Sequence, residues 1–254
     1  MKKLGLLGHP VSHSMSPKLF ADKFLKAGRL DLEYLTYDLP AISDFNTFTA
    51  NNPDIVALNV TIPHKESIIP YLSEIDEEAQ AIGAVNTLFK ANGKWMGYNT
   101  DGWGFRRSMQ PFLRGRHESA LIFGTGGAAK AVAYSLKTLG IAFYFVSRTP
   151  EKQPQISNVI GFNELTPEAI KHHLLLINCT PLGMEPDTDG CVQIPWQGVG
   201  KDHLVVDLVY NPDVTTFMTR ALEKGAEAMN GCDMLRLQAC LLYTSDAADD
   251  LLCV

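Results

Sequence analysis

A lysine and an aspartate in this chain are suited to proton chemistry on a polar ligand, and each closes a strand-like run. Lys65 ends Asn59-Val-Thr-Ile-Pro-His-Lys65, and Asp101 ends Gly97-Tyr-Asn-Thr-Asp101 just before a helical stretch. A lysine ammonium and a carboxylate brought together can serve as an acid–base pair. Nearby in the same part of the chain stand Ser14, Ser16, Thr61 and Asn86, whose side chains suit hydroxyl groups. Asn86 lies inside the apolar run Ala84-Val-Asn-Thr-Leu88. A buried amide needs partners, and a polyhydroxylated ligand would supply them. Each residue also has an ordinary reading: Ser16 as a helix cap, Lys65 as solvent-facing, Asn86 as backbone-satisfied, Asp101 as an N-cap. Together they make a hydroxyl-binding set with one acid–base pair.

A second kind of chemistry is written in Leu121-Ile-Phe-Gly-Thr-Gly-Gly-Ala-Ala-Lys130, where an apolar run ends in glycines and a helix begins. Gly124-x-Gly126-x-x-Ala129 fits the dinucleotide fingerprint, which tolerates Ala at its third position. Gly126 lets a backbone approach a phosphate, and the N–H groups opening the helix at Gly127 and Ala128 favour an anion there. An acidic residue normally meets the ribose 2′-OH at the end of the next strand. This chain instead reads Ser147-Arg-Thr-Pro-Glu-Lys152 after Val146. Arg148, with Ser147, Thr149 and Lys152 beside it, suits a 2′-phosphate, so the expected cofactor is NADP rather than NAD. Asn178-Cys-Thr-Pro-Leu-Gly-Met184 follows another strand of this half, where loops touch cofactor, and Asp207-Leu-Val-Tyr-Asn-Pro212 is a further strand end. His9, His13 and His64 draw together only in sequence and receive no chemical role.

The elements that must position these groups fall into two patterns. In the first hundred residues, strands are expected at Lys3–Leu7, Tyr34–Leu39 and Ile55–Val60. Val85–Lys90 and Lys94–Tyr98 form a hairpin about Asn92-Gly93. Helices are expected from Ser16-Pro17 to Gly28, after Lys65, from Glu74 to Ile82, and from Asp101 to about Leu113. Beyond it, Ala120–Phe123, Ile141–Val146, Leu174–Asn178 and Leu204–Val209 alternate with helical stretches, the pattern of a parallel, helix-flanked sheet. The boundary is expected near residues 101–113, with an active-site cleft between the two parts. The chain has 254 residues, 46% of them hydrophobic, and a net charge of -6, which argues against nucleic acid as main partner. No apolar run is long enough for a membrane span, and Gly8-His-Pro10 stops the first run too early for a signal peptide. The five cysteines are scattered, odd in number and without metal-ligand spacing, so they read as reduced thiols of a cytoplasmic protein with no metal.

In order along the chain, these segments resemble the motifs of the shikimate dehydrogenase family. Gly8-His-Pro-Val-Ser-His-Ser-Met-Ser-Pro17, the segments ending in Lys65 and Asp101, and Gly83-Ala-Val-Asn-Thr87 are similar to its substrate-domain motifs. The glycine turn, Ser147-Arg-Thr149, the Asn178 and Asp207 segments, and Gly231-Cys-Asp-Met-Leu-Arg-Leu-Gln238 are similar to the rest. The resemblance implies an α/β protein: an N-terminal mixed-sheet substrate domain (1–101), a Rossmann-like parallel-sheet NADP-binding domain (102–230), and a C-terminal helical segment (231–254) returning to the first. It implies reversible NADPH-dependent reduction of 3-dehydroshikimate to shikimate, with Lys65 and Asp101 catalytic. Substrate contacts would come from Ser14, Ser16, Thr61, Asn86, Asp101, Tyr210 and Gln238. Cofactor contacts would come from Gly124, Thr125, Gly126, Gly127, Ala128, Ser147, Arg148, Thr149, Lys152, Thr180, Met184 and Gly231. The partners are then small molecules, and the chain a monomer or homodimer.

Three features depart from the family pattern. Lys18-Leu-Phe20 stands where a His-Asn-like pair is usual, and Ser147 where Asn is common. After Gln238 the family continues with an aromatic-bearing helix, whereas this chain reads Leu241-Leu-Tyr-Thr-Ser-Asp-Ala-Ala-Asp-Asp-Leu-Leu-Cys-Val254. That ending reads as truncated or foreign, with Gln238 less firmly held. Two other readings stay open: a quinate/shikimate dehydrogenase with relaxed cofactor use, and a non-catalytic NADP-binding homologue. A folate-type dehydrogenase would want Tyr where Thr61 stands.

Overall fold

The structure, a computed structural model, describes residues 1–12 and 14–243, with side chains described as far as Gln238. His13 and the part of the unusual ending from 244 on lie outside the described residues. The chain divides into two units, Met1–Asp101 with the chain from Arg236, and Gly102–Leu235.

In the first unit the strands are β1 (Lys2–Gly8), β2 (Leu32–Asp38), β3 (Ile55–Val60), β4 (Glu74–Ile75), β5 (Thr87–Ala91) and β6 (Lys94–Tyr98). The helices are α1 (Ser16–Lys26), α2 (Phe45–Asn51) and α3 (Glu77–Ile82). The sheet order is β2-β1-β3-β5-β6-β4. β1 runs parallel to β2 and β3, while β5 is antiparallel to β3 and β6, so the sheet is mixed. Successive strand residues face opposite sides. Leu58 therefore joins Leu7, Val85 and Leu88 on one face, and Ala57 joins Phe20, Phe24 and Tyr34 on the other. Both faces are covered, which explains the apolar run Ile55–Leu58 that opens β3.

Several expected helices are shorter than the sequence suggests. After Lys65 there is only a 3-10 turn at Ile69–Tyr71, because Pro70 lacks an N–H and disfavours helical backbone at Ile69. The stretch expected as one helix from Glu74 is split. Glu74–Ile75 pairs with β6, and the Asp76 side chain accepts from the N–H groups of Glu78 (3.0 Å) and Ala79 (3.4 Å), which starts α3. The Asp101 helix, α4 (Asp101–Met109), ends short of Pro111 rather than at Leu113. α2 has no counterpart in the expectations, since only Phe45 and Thr49 of its seven residues are buried and so short a helix makes no visible period.

The second unit continues with β7 (Ser119–Phe123), α5 (Gly127–Thr138), β8 (Ala142–Ser147), β9 (Val159–Gly161), α6 (Pro167–His172) and β10 (Leu175–Asn178). It closes with β11 (Leu204–Asp207), α7 (Thr216–Glu223), β12 (Glu227–Met229) and the start of α8 (Cys232–Tyr243). All neighbouring pairs are parallel, in the order β12-β11-β10-β7-β8-β9. Ala129, Val132, Ala133 and Leu136 of α5 pack on one face of this sheet, and Phe217 and Ala221 of α7 on the other. The three-residue edge strands β9 and β12 are too short to carry an alternation and were not expected from the sequence. The return to the first unit falls inside α8, at Arg236, and not at its start.

Replacing Asp76 by Ala removes the cap that starts α3. The expected result is a loss of about 1 kcal/mol in unfolding free energy, seen as a lower urea midpoint at unchanged slope.

Candidate active site

Lys65 and Asp101 meet, with Lys65 Nζ 2.6 Å from Asp101 Oδ2. The carboxylate is 1% exposed and the lysine side chain 17% exposed, so the pair presents only its lysine end to the outside of its unit. A buried carboxylate needs a counter-charge and donors, and here it has both. Both ends are held by one short segment, Ala84–Asn86. The Val85 N–H donates to Lys65 O at 2.7 Å. Asn99 Nδ2 donates to Ala84 O at 2.8 Å, and the Thr100 N–H donates to Asn86 Oδ1 at 2.8 Å. Asn99 Oδ1 in turn accepts the Asp101 N–H at 3.0 Å, which starts α4. Asp101 is therefore the first helical residue, and Asn99 satisfies the helix-end donor that its cap reading would have it serve.

The structure also answers what satisfies Asn86. Its Oδ1 accepts from Thr100 and Thr87, and its Nδ2 donates to Thr100 Oγ1 and to Gln238 Oε1, both at 3.0 Å. Its amide thus finds partners within the protein, the Thr100 backbone N–H together with the side chains of Thr87, Thr100 and Gln238. The chain extends further: Asn59 Nδ2 reaches Thr87 Oγ1 at 3.5 Å, and Tyr34 Oη donates to Asn59 Oδ1 at 2.8 Å. Asn59, Thr87, Asn99 and Thr100 were missed as positioning groups, though all four sit inside the motifs quoted for the site. The cap of α1 is also corrected. Ser14 Oγ accepts from the Ser16 N–H at 3.1 Å, while Ser16 is itself the first helical residue and buried. Thr61 is half-buried at the end of β3, with its N–H on Leu7 O. His64 is buried with Nε2 2.6 Å from Leu39 O, and His9 pairs with Asp38.

In the second unit the sheet order reverses between β7 and β10, since β8 and β9 lie to one side and β11 and β12 to the other. Ligands of such sheets bind at the carboxyl ends of the strands at that point. Gly124 leaves β7 with φ +105°, a backbone conformation that favours glycine, and its N–H donates to Val146 O at 3.0 Å. Gly126 caps α5 in extended conformation with no atom crowding its Cβ direction, and Gly127 and Ala128 open the helix. Thr125 is half-buried, and Ala129 packs under the turn. At the end of β8, Ser147 is buried with Oγ accepting from the Thr149 N–H, while Arg148 and Lys152 are exposed. Thr180 lies against the turn, its Cγ2 3.3 Å from where a Cβ on Gly124 would stand. Met184 is 41% exposed at the far end of the same loop. Gly231 is buried beside Val209, to which its N–H donates, and Tyr210 is half-buried after β11.

Asp207 was noted in the sequence only as a strand end. It is fully buried, and burial raises its carboxyl from 3.8 to about 6, opposed in part by hydrogen bonds from Thr215, Val209 and Asn178. A raised acid favours the protonated form in the folded state. The stability it contributes is thus fully present below about pH 4 and lost as pH rises through about 6. Asp207→Asn abolishes this slope. Chemical denaturation from pH 4 to 7 should show the parent losing roughly 2 kcal/mol relative to the variant.

Comparison with known proteins bears on both units. Residues 6–88 match the family profile described as the shikimate dehydrogenase substrate binding domain. The chain is 36% identical to the shikimate dehydrogenase (NADP(+)) of Desulforamulus reducens, covering 94% of this chain and 87% of that one. It is 38% identical to that of Methanococcus maripaludis, over 95% of this chain and 90% of the other. It is also similar to shikimate 5-dehydrogenase from Thermus thermophilus in complex with NADP(H) and shikimate. The TM-score is 0.84 at 31% identity, over 96% of this chain and 92% of that one. A shikimate dehydrogenase solved with NADP+ gives a TM-score of 0.83 at 34% identity, over 96% and 89% of the two chains. With the two α/β units, the Lys65–Asp101 pair and identity of this extent along nearly the whole length, the chain belongs to the shikimate dehydrogenase family.

Proposed function

We propose that this chain catalyses the reversible NADPH-dependent reduction of 3-dehydroshikimate to shikimate. The observation that carries this reading is the 2.6 Å contact between Lys65 Nζ and a carboxylate that is 1% exposed. The first unit, residues 1–101, takes the substrate. Ser14, Ser16, Thr61, Asn86, Tyr210 and Gln238 would meet its hydroxyl and carboxylate groups, the amide of Asn86 being already held in place by Thr100 and Gln238. Residues 102–230 take the cofactor, and the segment from 231 returns to the substrate unit. The chain acts in the cytoplasm as a monomer or homodimer. Among the described residues no helix is long and apolar enough to cross a membrane.

The cofactor fits the residues present. The positive φ of Gly124, the open approach over Gly126 and the helix start at Gly127 and Ala128 suit a pyrophosphate. Thr125 would line the same turn, and Thr180, Met184 and Gly231 the loops beside it. The exposed Arg148, with Ser147, Thr149 and Lys152, suits a 2′-phosphate. Bound NADPH supplies the hydride. As the substrate carbonyl is reduced, negative charge gathers on its oxygen. The ammonium of Lys65 stabilises that charge and donates the proton to that oxygen, forming the shikimate hydroxyl. Asp101 holds Nζ in place and accepts one of its N–H groups, leaving the others for substrate. In the oxidation direction Lys65 takes the proton back. A mere NADP-binding role would have no use for this pair, and relaxed NAD use would forgo what Arg148 offers.

The reading is tested by following NADPH formation at 340 nm with shikimate and NADP, where the parent protein should turn over. Lys65→Ala should lose kcat by roughly 10²–10⁴-fold, with the KM for shikimate changing far less. A folded variant with normal kcat would overturn the assignment of Lys65. Arg148→Ala should raise the KM for NADP about tenfold and leave that for NAD unchanged, so the preference between the two cofactors collapses.

A further inference from the structure

Asp207 takes no part in the chemistry above, yet three donors converge on it at the buried end of β11. Thr215 Oγ donates to Oδ2 at 2.6 Å, Asn178 Nδ2 to Oδ1 at 2.9 Å, and the Val209 N–H to Oδ1 at 3.1 Å. Asp207, Thr215 and Asn178 are each 0% exposed. The other side of Asn178 faces the cofactor loop: Oδ1 accepts the Thr180 N–H at 3.0 Å and the Thr180 hydroxyl at 2.6 Å. Asn178 and Asp207 stand opposite each other in the parallel pairing of β10 and β11, and Asn178 stands opposite Phe123 at the end of β7. The three strand ends are therefore level where the glycine turn begins.

An ionised carboxylate only accepts hydrogen bonds, whereas an amide side chain has one accepting and one donating end. The carboxylate at 2.9 Å, with Leu182 O as a longer second acceptor at 3.4 Å, therefore draws the NH₂ of Asn178 and leaves its oxygen toward Thr180. That oxygen then takes both the backbone and the hydroxyl hydrogen of Thr180. Turned the other way, Asn178 would set its NH₂ against the Thr180 N–H, and a buried donor would be left unpaired. We propose that Asp207 is a positioning residue for cofactor binding, orienting Asn178 so that this amide holds Thr180 against the Gly124 turn. It rests on the NADP reading above. The Thr180 hydroxyl, its hydrogen spent on Asn178 and one lone pair facing the Leu182 N–H at 3.4 Å, offers its other lone pair to an N–H of the bound ligand. A residue at 207 that offered Asn178 only donors would reverse the amide and that polarity.

The test is binding of NADP alone, followed by quenching of protein fluorescence, with the KM for shikimate at saturating NADP as the second measurement. Asp207→Leu keeps the bulk and removes both acceptors. It should raise the NADP Kd about tenfold while the shikimate KM stays within about twofold. Asp207→Asn keeps an accepting oxygen for Asn178, and Thr215 can turn its hydroxyl to accept, so its Kd should return to within about threefold of the parent. Thr180→Val should weaken NADP as Asp207→Leu does, and combining the two should add nothing further, the mark of residues acting in one line. Thr180 lies in a half-buried loop, so its variant remains measurable even if Asp207→Leu fails to fold. An unchanged Kd in Thr180→Val, equal losses for NADP and shikimate, or additive effects in the double variant would overturn the proposal. A parent that binds no NADP would sink the functional reading and this inference with it. A parent that binds NADP beside unmoved variants would sink this inference alone.

Discussion

The buried carboxylate of Asp101 is the constraint on which the first unit depends. A charge that is 1% exposed is tolerated only when a partner and fixed dipoles compensate it. Lys65 is that partner, and it comes from a turn remote in sequence from the start of α4. Holding the two together therefore requires a shared anchor. Ala84–Asn86 is that anchor, since its backbone binds Lys65 and Asn99 and its amide side chain binds Thr100. The antiparallel run of β5 against β3 and β6 explains why this segment is available. Val60 N–H bonds Asn86 O, and Asn86 N–H bonds Tyr98 O, so the strand carrying the anchor lies between the ends that lead to Lys65 and Asp101.

In the second unit the corresponding constraint is the reversal of strand order at β7 and β10. Parallel strands bring their carboxyl ends to one edge, and the reversal opens a gap there because successive helices pack on opposite faces. Gly124, Ser147 and Thr180 leave three strands at that edge. The backbone bonds from Gly124 to Val146 and from Cys179 to Phe123 keep their loops in step. The buried Asp207–Asn178 pair adds directionality that packing alone does not give, because a carboxylate dictates which end of an amide faces it. Apolar burial builds the frame in both units. Polar groups with few ways to be satisfied decide how the loops sit on it.

Much of this was legible in the residues. Apolar runs separated by turn signals located the principal strands. Asn92-Gly93 located the hairpin, and both residues adopt the positive φ that such a turn needs. The motif segments contained Lys65 and Asp101, although the sequence placed them far apart. Errors of extent trace to local competition that periodicity does not register. Pro70 and Pro111 shorten helices, and the Asp76 side chain starts one later than its acidic neighbours suggest. Ser14 rather than Ser16 meets the helix-end N–H, a distinction that turns on which residue first adopts helical dihedrals.

The sequence by itself determined the identities of the reacting groups, the glycine turn, the basic strand end and the two-part alternation of elements. These are properties of residue type and near-neighbour spacing. Only the tertiary structure decided which polar groups satisfy one another. Asn86 could have been read as waiting for a ligand, yet Thr100 and Gln238 hold it. Asp207 read as an ordinary strand end, yet it sits at the centre of a buried network. The physical reason is that a hydrogen bond is paid for by desolvation at both ends, and which ends meet depends on strand order and register. Those are set by contacts between residues far apart in the chain, which no local pattern encodes.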